Sequence, residues 1–203
     1  MGMGPRNNSR TIELRVTMPR IAPIDIEHAS AEARAVFDAG IARWGRMTNM
    51  KRTLLHSVPS FHALMEWYPL FDTIKPFLGE RLAIVFAHAI SSESDCLICT
   101  TFMRRILIDW GENPTELNLD DRGEVLVAFG RAIAHQGSRV PDEVYRRVAT
   151  LFSDEEVVAL TAFASLMVAT NIINNVLEVE LDEYLYDYRD RAALAKKVVK
   201  RDA

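Results

Sequence analysis

The only two cysteines of this 203-residue chain, Cys96 and Cys99, stand in C-x-x-C spacing within the segment HAISSESDCLICTTFMRR. Thiols this close serve as a disulfide, as half of a metal site, or as a redox pair that cycles. In a helical turn, positions i and i+3 bring the Cα atoms to roughly 5–6 Å, inside disulfide range. The serine- and acid-rich stretch before them and the apolar run after them predict a helix start. Ser94 or Asp95 would be its N-cap, placing Cys96 in the first turn as the more exposed thiol and Cys99 at the end of that turn. There, free N–H groups and the helix dipole stabilise a thiolate and lower its pKa by about one to several units. Asp95 works against this, because one anion disfavours a second.

The rest of the chain narrows these choices. A structural zinc site needs four ligands, usually a second cysteine pair or a histidine pair. The five histidines (His28, His56, His62, His88, His135) are scattered with no H-x-x-x-H spacing, so no metal is expected. A thioredoxin-type pair needs a βαβ setting, and no such pattern appears. No glycine-rich turn follows a strand, so no nucleotide, flavin or other cofactor is implied. A redox dithiol and two buried cysteines packing as small apolar residues both remain open.

Composition bounds the function classes. Hydrophobic residues are 49% and charged residues 26%, with a net charge of −4 and no separate Lys/Arg block. That excludes an electrostatic footprint for nucleic acid or an anionic membrane surface. The start, MGMGPRNNSRTIELRVTM, has no continuous apolar core of a secretory signal, and two cysteines suit a reducing, cytoplasmic compartment. Residues 157–177 carry no charge over a bilayer-length run. Thr161, Ser165, Thr170 and three asparagines interrupt it, and acids flank it on both sides, so it reads as a central core helix rather than a membrane span.

The elements that must position the thiols are all helices. Ser30 caps one running to about Trp44, with Gly45 past its end. A short helix follows through KRTLLH, and Pro59 opens another that Pro69 kinks or ends. From about Gly79 the run ERLAIVFAHAI is apolar on nearly every face, and SSESD breaks it. The cysteine helix then runs from about Asp95 to Trp110. DDRGEVLVAFGRAIAHQ, a shorter helix from Pro141, the long uncharged helix launched by a Ser153–Glu156 capping box, and a final acid-to-basic helix complete the chain. The reading is an all-α, single-domain helical bundle. Residues 1–18 form a flexible arm or tag remnant, 19–187 the domain, and 188–203 a C-terminal helical tail. The two charge-poor helices exceed what one subunit can cover, which predicts a homo-oligomer.

In its lead-in PRIAPID, the segment RWGRMTNMKRTLLHSVPSFHALMEWYPL, the run ERLAIVFAHAISSESDCLIC and the late FSDEEVVALTAFASLMVATNIINNVLEVELDE, the chain resembles a known family. This is the carboxymuconolactone decarboxylase-like, alkyl hydroperoxidase D-like family, in its peroxidase-related branch. The resemblance implies an all-helical subunit assembled as a dimer, trimer or hexamer. It also implies that Cys96 and Cys99 are the catalytic pair, Cys99 meeting peroxide, reducing hydroperoxides or exchanging disulfides at the expense of a dithiol reductant. In the family a glutamate on the preceding helix and a histidine after the second cysteine relay protons. Here those positions hold Ile84 and Met103.

His88 and Glu80 lie one turn to either side of Ile84 and are the candidate replacements for the relay. Asn171, Asn174 and Asn175 share one face of the long helix and are candidates to line the same cavity, and Thr100 is a further hydrogen-bonding candidate. The expected function is a thiol-dependent peroxidase or disulfide oxidoreductase in antioxidant defence. The alternatives are a low-activity redox sensor or binding member of the family and, third, a decarboxylase- or lactone-type enzyme.

Overall fold

The computed structural model describes residues 18–135 and 139–189, and the regular elements among them are all helical. Local chemistry sets most of the boundaries. Ser30 accepts from the Ala33 N–H at 3.1 Å to start α1 (Ala31–Trp44), and Gly45 ends it in the left-handed region at φ 73°. Thr48 caps α2 (Asn49–Leu54), and Pro59 lies in the first turn of α3 (Val58–Trp67). Pro69 separates α3 from α4 (Leu70–Glu93), which is followed by α5 (Leu97–Asp109). Asp120 caps α6 (Asp121–Ala134), and Pro141 precedes α7 (Asp142–Leu151). Ser153 and Glu156 form the expected capping box at the head of α8 (Asp154–Leu177).

The helical stretch expected from about Gly79 is present. Gly79 itself is non-helical at φ 75° and ψ 157°, three residues after Pro76, and the second arm of α4 begins just after it. Two other expectations need correction. The SSESD stretch is mostly helical too, because Ser91, Ser92 and Glu93 are the last turn of α4. In place of the terminal α-helix there is a 3₁₀ turn, Glu183–Tyr188, and the remainder of that element lies outside the described residues, as does the expected arm up to residue 17.

The middle of α4 is the axis of the core, packed against α5, α6 and α8. Phe86 stacks on Phe129 of α6 at 6.3 Å and meets Phe163 of α8 at 6.1 Å. Gly130 fits closely there: a Cβ would stand 3.0 Å from both Phe86 and Ile90, so these neighbours would have to give by a few tenths of an ångström. The α4 segment therefore lies buried within one subunit, without a second copy to cover it. By length and composition α8 would reach across a membrane. In this fold its inner face (Leu160, Phe163, Ala164, Asn171) is buried in the core, while Val158, Ile172 and Val176 face outward. Its partner helix α4 points the same way. Phe163 meets Phe86, and further along both chains Asn175 meets Ser94, so the two C-termini arrive together at the cysteines.

Candidate active site around the two cysteines

The turn that delivers the thiols is very tight. The Asp95 N–H bonds to Ser92 O at 3.2 Å and the Cys96 N–H to Ser91 O at 3.1 Å, the pairing of a Schellman motif. The left-handed residue of that motif is Asp95, at φ 50°, where glycine is usual. Cys96 thus ends the α4 motif and is itself the N-cap of α5, one residue later than Ser94 or Asp95 would have been. No side chain caps that first turn. Cys99 follows one turn along. The expected order of exposure is reversed: Cys96 is 1% exposed and Cys99 8%.

Both cysteines are free thiols. The hydrogen bond with Cys96 holds the proton on Cys99, and burial and the neighbouring sulfur's charge push its pKa well above the ordinary thiol value. Asn174, on the last turn of α8, opposes this. Its Nδ2 donates to Cys99 Sγ at 3.3 Å and lies 3.8 Å from Cys96 Sγ. Asn175 donates to Ser94 O at 2.8 Å and pins the turn. Around these bonds the hydrogen-bonding capacity is not used up. Asn171 is fully buried, yet among the described residues neither its amide nitrogen nor its oxygen has a hydrogen-bond partner, and the same holds for Asn174 Oδ1 and Ser91 Oγ. Buried polar atoms are normally paired, and clusters of exceptions belong to working sites more often than to scaffolds.

One further side chain borders the pair, and a second borders that one. The Tyr68 phenol, between α3 and α4, is buried and close enough to Cys99 that charge on the sulfur pushes its pKa up, after burial itself. The ammonium of Lys51 on α2 lies 5.7 Å from the centre of the Tyr68 ring and 3.6 Å from that of Trp44. Neither residue stood out in the sequence. The signal for Lys51 was there: it occupies the apolar side of a short helix, among Met50 and Leu54.

The expected relay candidates are placed elsewhere. Glu80 is exposed, at the start of the helical arm after Gly79, eleven residues and several turns from Ser91. His88 is partly buried between Arg104 of α5 and Arg131 of α6, with no hydrogen bond to either sulfur. Burial first, then those two cations, lower its pKa to about 4, which leaves a weak base at neutral pH. Ile84 and Met103 pack into one apolar cluster with Val85, Leu107 and Phe71, so hydrocarbon fills the place of the family's proton path. The Thr100 N–H bonds to Cys96 O at 3.0 Å as part of α5, and its side chain makes no hydrogen bond among the described residues. Among these residues no three His, Cys, Asp or Glu side chains converge to hold a metal.

The sequence matches no family model and no curated protein. The fold, by contrast, is similar to several solved structures. A peroxidase-related protein with an alkyl hydroperoxidase D core from Ralstonia eutropha superposes with a TM-score of 0.68 at 15% identity, over 84% of this chain and 95% of that one. The debrominase Bmp8 gives 0.67 at 17% identity, over 87% and 96%. A putative antioxidant defence protein of the alkyl hydroperoxidase D type from Agrobacterium tumefaciens gives 0.56 at 16%, over 64% and 94%. The chain has the alkyl hydroperoxidase D-like fold that its sequence resemblance implied.

Proposed function

We propose that the protein is a dithiol oxidoreductase that reduces hydroperoxides, or exchanges disulfides, through Cys96 and Cys99. The observation that carries this is the meeting of two free, buried sulfurs at the head of α5 with a third group, Asn174, donating to them from another helix. A structural pair of cysteines has no need of such a donor. In the reaction, the thiolate of one cysteine attacks the outer oxygen of ROOH, giving a sulfenic acid and, after protonation, ROH. The second thiol displaces water from the sulfenic acid to form the disulfide. An external dithiol returns the pair to its reduced state, which suits the cytoplasm. Exposure favours Cys99 as the sulfur that meets substrate and Cys96 as the one that resolves it.

Because the Cys99 pKa is raised, thiolate is scarce at neutral pH and alkylation of Cys99 should still be accelerating above pH 9. The test is peroxide consumption with dithiothreitol as reductant. Wild type should turn over and Cys99→Ser should be inert, while Cys96→Ser treated with peroxide in the absence of dithiothreitol should stop at a sulfenic acid after one equivalent. A protein that consumes no peroxide, with thiols of ordinary reactivity, would instead be a redox sensor or binding module. The likeness to a debrominase, including a cysteine-to-alanine variant of it bound to 2,3,4-tribromopyrrole, supports a second substrate class. A dithiol can release halide from carbon, the carbon taking a proton and the sulfurs ending as a disulfide. The outward stripe of Val158, Ile172 and Val176 on α8 supports a homo-oligomer formed through that helix. Light scattering that finds a folded monomer at micromolar concentration would contradict it.

A further inference from the structure

Lys51 is only 8% exposed, and among the described residues its ammonium has neither a hydrogen bond nor a carboxylate partner. Burying a charge without a counter-ion is expensive, and lysine is rarely inside a protein unpaired. Burial, then the nearby Arg43, lower its pKa to about 8; no acid appears among the groups that act on it. What holds the ammonium is aromatic: the Trp44 face at 3.6 Å and the Tyr68 ring at 5.7 Å. Asp182, the acid that meets α2, turns one oxygen to the backbone. Its Oδ1 accepts from the Asn49 N–H at 2.8 Å, and its Oδ2 is buried without a hydrogen bond among the described residues. The charges that act on it are those of Arg46 and Arg52.

The position of Lys51 gives this orphan charge a use. The Tyr68 ring that lies 5.7 Å from the Lys51 ammonium is also within electrostatic reach of Cys99, so one aromatic side chain connects the charge to the dithiol. Trp44, on the other flank, also lines an open cleft of about 320 Å³ with Arg43, Phe61 and Met65. We propose that Lys51, walled by Trp44 and Tyr68, is the recognition group for substrates that carry a carboxylate on an aromatic or apolar body, and that it aligns them on the Cys96–Cys99 dithiol. The carboxylate supplies the missing counter-ion and the two rings take the apolar body. The word substrate rests on the oxidoreductase reading; the binding site does not.

Binding and oxidation are therefore measured separately. Nitrobenzoate and the neutral nitrobenzamide are titrated by calorimetry into wild type, Lys51→Met and Lys51→Arg. The carboxylate should bind wild type at least tenfold more tightly than the amide. Lys51→Met should lose the preference and Lys51→Arg should keep it. Saturating nitrobenzoate should also slow alkylation of Cys99. Should Lys51→Met fail to fold, wild type alone still decides. Its preference should fall between pH 7 and pH 9.5 as Lys51 deprotonates, with Arg43, Tyr68 and Cys99 the other titratable groups on that side, whereas in Lys51→Arg it should not. Equal binding of the two probes, a preference that survives Lys51→Met, or a flat pH profile in wild type would overturn the assignment. A protein that binds nitrobenzoate through Lys51 but never forms the Cys96–Cys99 disulfide would uphold this site and refute the oxidoreductase reading.

Discussion

At the middle of α4, Phe86 stacks on Phe129 and meets Phe163, and a Cβ at Gly130 would stand only 3.0 Å from Phe86 and Ile90. Little more than a turn further on, at the end of the same helix, Ser91 Oγ and the amides of Asn171 and Asn174 keep unused hydrogen-bonding atoms in the dark beside two thiols. The first region spends its residues on close packing, as a core does. The second gives up stability to keep polar atoms available, which is how sites are distinguished from scaffolds. The contrast also separates two buried bases. His88 is held neutral by burial and two arginines, while Lys51 is held near its charged range between aromatic rings.

The largest effect that sharpens this contrast is in the core. Phe86→Ala should remove about 3–5 kcal/mol of stability, measured by urea unfolding, because the cavity sits among rings that cannot collapse. A loss below about 1 kcal/mol would mean that the aromatic layer is not close-packed.

Next comes the His88 charge balance. Its pKa is lowered to about 4 in the folded state against about 6.5 unfolded, so below pH 6.5 the unfolded chain binds a proton that the native one refuses. Stability is fully present above pH 6.5 and falls towards pH 4, by up to about 3 kcal/mol at 1.36 kcal/mol per pH unit. His88→Gln should flatten that slope in melting temperatures taken across the range, and should leave thiol reactivity near neutral pH unchanged. A tenfold fall in reactivity would restore His88 as a proton relay.

The asparagines should trade stability against reactivity. Asn174→Leu removes the N–H donated to Cys99, and hydrogen bonds to a charged group are worth about 1.5–3 kcal/mol, so thiol alkylation should slow by about ten- to a hundredfold. Asn171→Leu exchanges an unpaired buried amide for hydrocarbon and should stabilise the fold by about 1–3 kcal/mol. If Asn171→Leu destabilises instead, its amide is satisfied within the scaffold and the contrast between the two regions weakens.

The smallest expected change is at the turn. Asp95→Gly relieves a left-handed residue but loosens the unfolded chain, and the two effects, each about 1 kcal/mol, should nearly cancel. A shift of several degrees in melting temperature would show that Asp95 itself holds the turn.

These elements also show what sequence could carry. Ser30, Gly45 and the Ser153–Glu156 box act through neighbours within four positions, so both ends of α1 and the start of α8 were legible. The end of α4 was not, because the motif that closes it uses Asp95 where a glycine would have announced it. Cys96 and Cys99 were legible from spacing alone, and the three asparagines from their shared face. Which asparagine meets the sulfurs depends on how α8 lies beside α4, a tertiary fact. Tyr68 comes within electrostatic reach of Cys99 from the α3–α4 junction and Lys51 meets that ring from α2, and no local pattern links either to residue 99. Placing Glu80 and His88 by helical register alone left out that Glu80, in the first turn after Gly79, is exposed, and that arginines arrive beside His88 from α5 and α6.

The central claim, that Cys96 and Cys99 are a reversible redox pair, meets its most direct test in the intact mass after one equivalent of hydroperoxide. The expected product is a chain lighter by two hydrogens with a Cys96–Cys99 disulfide, returned to its starting mass by dithiothreitol. Sulfinic or sulfonic acids, or disulfides only between chains, would contradict it.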